Sequence, residues 1–161
     1  MPSTDYIYCD TCVFMSYFNQ VPERIAVLEA FFNRISKSDS EVIITSAITK
    51  VEVSWIETTE YKPLESESDL ETLDIFWRDK GIVQIVEFNE TIADIARGIM
   101  RHARKNGWKT ENWCMDSIHL ATAKWTNSKI LNTYDKKLAK FENFIGIKIQ
   151  EPKQGQLILG I

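Results

Sequence analysis

Short apolar runs of strand length alternate with longer runs of helical periodicity along the whole chain, and this alternation constrains the fold more than any other feature. Tyr6–Cys9, Val42–Thr45, Ile82–Phe88, Lys129–Asn132 and Ile147–Gln150 read as strands. Between them, Val13–Phe18, Pro22–Ser36, Ala47–Ile56, Glu65–Arg78, Glu90–Lys105, Met115–Thr126 and the short Lys136–Phe141 read as helices. Pro22 suits a first helical turn, Ser46 an N-cap and Asn106-Gly107 a helix stop. Strands separated by helices are joined by crossovers rather than hairpins, which sets them parallel and puts helices on both faces of the sheet. The expected fold is α/β, a three-layer α/β/α arrangement with a central, mostly parallel five-stranded sheet, in a single domain over residues 1–161.

A chain of 161 residues with 44% hydrophobic and 26% charged side chains buries enough apolar surface for one core without staples. The first residues carry neither a basic leader nor a signal-type apolar core, and no stretch reaches the length of a membrane span. A cytoplasmic protein with no membrane association is expected. The three cysteines, Cys9, Cys12 and Cys114, do not make a closed disulfide framework and fit a reducing compartment. The apolar tail Leu157–Ile161 could pair with a sheet edge or with a second subunit.

A formal net charge of -4 would argue against a nucleic-acid partner if charge were spread evenly, but it is segregated. Arg97, Arg101, Arg104, Lys105 and Lys109 follow one another with no intervening acid, whereas Glu57–Asp74 sets seven acids against Lys62. Two solvated helix faces of opposite sign would read the same way. Nearness to a reactive cluster is what would give the basic face a function.

Four acids stand where strand-like runs hand over to helical ones or shortly after. Asp10 follows Tyr6–Cys9, Glu52 lies in the helix after Val42–Thr45, Asp116 opens the run 116–123, and Asp135 follows Ile130–Tyr134. In an open parallel sheet the carboxyl ends of the strands share one edge, so residues distant in sequence converge there. Acids so gathered repel, and a divalent cation relieves the repulsion. Each also has a plainer role. Asp10 and Asp116 could cap or face helix N-termini. Glu52, flanked at helical spacings by Ile48, Val51, Trp55 and Ile56, needs either a metal or an ion-pair partner beside such an apolar stripe.

Taken in order, these segments resemble the PIN-domain family of metal-dependent nucleases, which includes VapC-type toxins. The resemblance runs from Tyr6-Ile7-Tyr8-Cys9-Asp10-Thr11 through Thr45–Val53 to Asp116-Ser117-Ile118-His119-Leu120-Ala121-Thr122-Ala123 and Asn132-Thr133-Tyr134-Asp135. It implies acidic metal ligands at Asp10, Glu52, Asp116 and Asp135, with supporting hydroxyls at Thr11, Ser46 and Thr133. Cys12 departs from the pattern, because many members carry an Asn there.

The resemblance implies an endoribonuclease that uses Mg2+ or Mn2+ and leaves a 3′-hydroxyl and a 5′-phosphate, with a small antitoxin protein as partner. Hard carboxylate oxygens suit those ions. Single-stranded or looped RNA offers exposed bases and a bendable backbone. Arg97, Arg101 and Arg104, at helical spacing, could guide its phosphates, with Lys136 and Lys137 beside Asp135. Trp108 and Trp113 could stack on bases or pack in the core. A homodimer would cover the aromatics Phe14, Phe18, Phe31 and Phe32. Two other readings are an inactive PIN-like module that binds RNA or protein, and a thiol oxidoreductase built on Cys9-Asp10-Thr11-Cys12, in which the enclosed Asp disfavours a thiolate.

Overall fold

The computed structural model describes residues 4–54, 67–79, 81–109 and 113–155. β1 (Asp5–Cys9) passes through Asp10 into α1 (Thr11–Phe18), and α2 (Ile25–Ser36) leads to β2 (Glu41–Ser46) and the short α3 (Ala47–Glu52). α4 (Glu67–Arg78), β3 (Val83–Val86), α5 (Glu90–Lys105) and α6 (Cys114–Trp125) follow. β4 (Ile130–Asn132), a 3-10 helix over Lys136–Phe141, α7 (Glu142–Ile145) and β5 (Lys148–Gln150) complete the order.

All five strands pair in parallel, in the order β3-β2-β1-β4-β5. Alternation along each strand builds two cores. Ile7, Ile43 and Val83 are register neighbours and share a face with Val13, Phe14, Leu28 and Trp77. Tyr8, Ile44 and Leu131 point to the other face, against Ile92, Ile99 and Leu120 of α5 and α6. β1 is therefore covered on both sides, which is why it reads as a continuous apolar run. Successive strands lie to one side of β1 as far as β3 and to the other side from β4 onward. The order thus reverses between β1 and β4, where an α/β sheet opens its crevice.

Several expectations are corrected. α3 stops at Glu52, where Val53 leaves helical geometry (φ -98°, ψ 62°), and Val51 is 73% exposed; Trp55 and Ile56 lie outside the described residues. Pro22 lies in the turn before α2. β3 ends at Val86, leaving Glu87 and Phe88 in the connection to α5. Phe14, Phe18, Phe31 and Phe32 are buried; Phe14, Phe18 and Phe32 pack on Phe76 of α4, so these rings need no second subunit to cover them. The acidic stretch up to position 66 and the tail 157–161 lie outside the described residues. Among the described residues no helix is long and apolar enough to cross a membrane.

Gly98 sits inside α5, where a methyl group would meet nothing within 4 Å. Glycine in a helix interior costs about 0.5–1 kcal/mol relative to alanine. Gly98→Ala is therefore expected to raise stability by about that amount, read as a higher urea midpoint at unchanged slope.

Candidate active site

Asp10 is 5% exposed and stands at the end of the central strand. Its backbone N–H donates to the carbonyl of Asn132 at 3.0 Å, which fastens the end of β1 to β4 at the reversal point. Its Oδ1 accepts the Thr11 N–H at 2.6 Å as the N-cap of α1, and its Oδ2 accepts the Thr133 hydroxyl at 2.9 Å. Cys12 completes this ring: its thiol lies 3.5 Å from Asp10 Oδ2 and 3.2 Å from Thr133 Oγ1 and accepts the Tyr134 N–H at 3.1 Å. The thiol thus bridges Asp10 to the loop after β4. Burial, then the charge of Asp10, pushes its pKa up to about 12, and burial also raises that of Cys9. Both stay protonated near neutrality, which removes the support for thiol redox chemistry.

Glu52, the last residue of α3, is held by a network that crosses the sheet edge. The Thr11 hydroxyl and His119 Nε2 both reach Glu52 Oε2, the latter at 2.8 Å. On its other side, His119 Nδ1 lies 2.7 Å from the Tyr8 hydroxyl, whose oxygen accepts the Ser46 N–H at 3.2 Å. With the Tyr8 proton given to Nδ1, Nε2–H is left to donate to Glu52. Burial opposes a charge on His119, but the Glu52 hydrogen bond and the charges of Asp10, Glu52 and Asp116 outweigh it and raise its pKa. Burial likewise acts to raise the Glu52 pKa, and the His119 and Thr11 bonds overcome it and keep the carboxylate ionised. His119 follows Asp116 by three residues, so both occupy one side of α6; this spacing was the available signal for a residue that the acid-based reading passed over. Tyr8 gave no comparable signal. Ser46 caps α3, its Oγ accepting the Ile48 N–H at 3.3 Å, and reaches the network through its backbone.

Asp116 occupies the first turn of α6. Burial, then the charges of Asp10 and Asp135, raises its carboxyl pKa to about 6. These three carboxylates, from three separate segments, therefore share one field. Asp135 caps the 3-10 helix by accepting the Lys137 N–H at 2.9 Å, and Lys137 Nζ stands 3.5 Å from its Oδ2. Lys136 is exposed beside them. The donor set fits a hard divalent cation, since oxygen ligands in mutual repulsion are what Mg2+ or Mn2+ relieve. Among the described residues no three acidic, His or Cys side chains form a ready-made metal-binding group, so the fit rests on donor chemistry and shared charge.

Arg97, Arg101 and Arg104 lie along exposed positions of α5 and border a groove of about 410 Å³ against the first turn of α6. Arg97 is paired with Asp94 at 3.1 Å. Trp113 is buried, and Trp108 packs edge-on against Phe141, with Lys140 over both indoles; these rings serve the core.

A model of the PIN domain matches residues 7–143. The chain belongs to the PIN-domain family. Its fold is similar to that of VapBC2 from Rickettsia felis bound to a DNA fragment from their promoter, at 17% identity and a TM-score of 0.67 over 91% of this chain and 98% of that one. FitAcB from Neisseria gonorrhoeae aligns at 20% identity and a TM-score of 0.63, over 91% of this chain and 97% of that one. VapC20 of Mycobacterium tuberculosis, a Sarcin-Ricin loop cleaving toxin, aligns at 13% and 0.59, over 83% and 93%. At such identities the likeness is one of fold. No curated protein matches the sequence.

Two outcomes follow for this PIN domain. A carboxyl whose pKa is higher in the folded chain than in the unfolded one stabilises the fold while protonated, and that contribution is lost as pH rises from about 4 through about 6. In chelator at pH 7–8, Asp116→Asn should therefore melt a few degrees above the parent, with the difference shrinking toward pH 4; equal melting at both ends would contradict the shared field. His119→Ala leaves Glu52 and Tyr8 without their buried partner and should cost about 2–4 kcal/mol in urea unfolding, with His119→Gln recovering part.

Proposed function

We propose that this chain is a metal-dependent endoribonuclease that hydrolyses phosphodiester bonds in single-stranded or looped RNA, as the toxin of a toxin–antitoxin pair. The observation that supports this reading is the coupling of Asp116 to Asp10 and Asp135, whose charges add to burial in raising its pKa, with Asp10 at the reversal point of the sheet. Family membership supports a nuclease. The folds of VapBC2 and VapC20 support a toxin and an antitoxin partner, and the cleavage ascribed to VapC20 supports RNA.

Each residue has a defined task. Asp10 is fixed from both oxygens by Thr11 and Thr133 and cannot swing away from the crevice. Glu52 is kept ionised by Thr11 and His119. A Mg2+ or Mn2+ ion held by Asp10 and Asp116, with Glu52 and Asp135 completing or orienting the shell, would lower the pKa of a bound water and neutralise charge on the scissile phosphate. Asp116 must be ionised to take part, and with its pKa raised to about 6 it reaches that state as pH rises to neutrality. Arg97, Arg101, Arg104, Lys136 and Lys137 draw the phosphate backbone toward the acids, so binding weakens steeply with salt.

A second reading, a PIN-like module that binds without cutting, is favoured by one observation: Glu52 is already engaged by His119. Incubation with a mixed-sequence RNA separates the two. The nuclease is expected to cut in manganese, to stop in chelator, and to lose at least about 100-fold in rate on Asp116→Asn, leaving 5′-phosphate ends. Cutting that persists in chelator or in Asp116→Asn overturns the mechanism, and RNA binding with no cutting in manganese selects the module.

A further inference from the structure

The connection Glu87-Phe88-Asn89 carries an aromatic ring where a solvent-facing turn would ordinarily be polar. Asn89 accepts the Ile92 N–H at 3.0 Å as the N-cap of α5, which anchors the chain immediately after Phe88. Phe88 is 47% exposed, so its ring is not needed to fill the core beneath it. It borders the groove of about 410 Å³ between α5 and α6, whose apolar wall includes Ala96, Met100 and Ile118. Arg97, Arg101 and Arg104 line the same groove.

Phe88 also follows β3, so it lies along the carboxyl edge that carries Asp10. β3 and β1 are separated by β2 alone, two strand spacings or roughly 10 Å. Cys114, Ser117 and Ile118 line the groove from one side of α6, whereas Asp116, in the same first turn, lies on the side that carries His119, so the groove and the carboxylate cluster flank the start of α6.

We propose that this groove is a nucleobase site: an unstacked base of a single-stranded RNA lies against Phe88 and the aliphatic wall, while Arg101 and Arg104 hold the phosphates beside it. The proposal rests on the RNA reading above and carries it from the scissile phosphate to a base a nucleotide or two away. An apolar wall is of no use to a bare phosphate, and a cationic rim is of no use to a neutral apolar ligand. A nucleotide has both an aromatic face and a negative charge, the two features this groove combines. A cavity of this size falls in the range of sites that enclose small ligands. Stacking on an exposed aromatic ring is tolerant of base identity, so the site positions the strand without demanding one sequence.

The test measures fluorescence anisotropy of a labelled five-nucleotide RNA, and of a fully abasic strand of equal length and charge, in chelator. Phe88→Ala is expected to weaken binding of the intact strand by about tenfold and that of the abasic strand by less than about twofold. Phe88→Leu, which keeps bulk but not the ring, should behave like Phe88→Ala, whereas Phe88→Trp should bind the intact strand at least as tightly as the parent. Arg101→Glu should weaken both strands alike and flatten the salt dependence. Equal losses on both strands in Phe88→Ala, or no loss on either, overturn the base site. So does a parent chain that sediments as an oligomer and is dissociated by Phe88→Ala, because the occupant is then a second copy. The outcome is separable from that for cleavage: absence of cutting in manganese with the base-dependent loss intact removes the nuclease and leaves the base site standing.

Discussion

Repulsion among carboxylates brought to one sheet edge is the constraint around which the site is organised. The parallel sheet gathers chain segments at its carboxyl end, and the reversal between β1 and β4 opens the space into which Asp10, Asp116 and Asp135 project their charge. The Thr11 N–H and the Thr133 hydroxyl on Asp10, and the Lys137 N–H on Asp135, reduce the cost of this arrangement by hydrogen-bonding the carboxylate oxygens. Burial, and after it the charges of Asp10 and Asp135, still raise the pKa of Asp116.

His119 is the fold's internal reply to that charge. Its ring is almost wholly buried, yet it faces Glu52 at 2.8 Å and Asp10 at 3.5 Å. Tyr8 fixes the far side of the ring and is itself fixed by the Ser46 backbone, so the orientation is set from β1, β2 and α6 at once. Both donors to Glu52 converge on Oε2, which leaves Oε1 outside that network.

The architecture was readable because alternation of strand and helix is a property of every segment and survives errors at any one boundary. Asp10 and Asp135 were readable as positions for the same reason, each following a strand and capping the helix after it, whereas Asp116 stands in the first turn of α6, which follows α5 with no strand between them among the described residues, and Glu52 closes α3. Glu52 shows the limit. Its helical stripe reads well as far as Val51, but the helix ends one residue later and Val51 faces solvent, because helix length is set by tertiary packing that a local period does not contain. His119 and Tyr8 were hidden for a different reason. Their partners lie 67 and 111 positions apart in sequence, and a buried polar pair of that kind leaves no local pattern. The exposed Phe88 escaped notice because the strand was read two residues too long, which placed the ring inside β3.

Capping and ligation compete as explanations of each acid when the residues are read singly, but in the folded chain a capping role leaves part of each carboxylate unused. Asp10 caps α1 and Asp135 caps the 3-10 helix, and each does so through one oxygen. An ionised carboxyl has about four lone-pair sites, so a single backbone N–H does not exhaust it. The cap holds each carboxylate in one rotamer at a fixed point on the sheet edge. Deleting the acid thus removes a helix cap together with a charge. That coupling is why a neutral isostere such as Asn, which still accepts the capping hydrogen bond, separates the two roles at Asp10 where Ala would confound them.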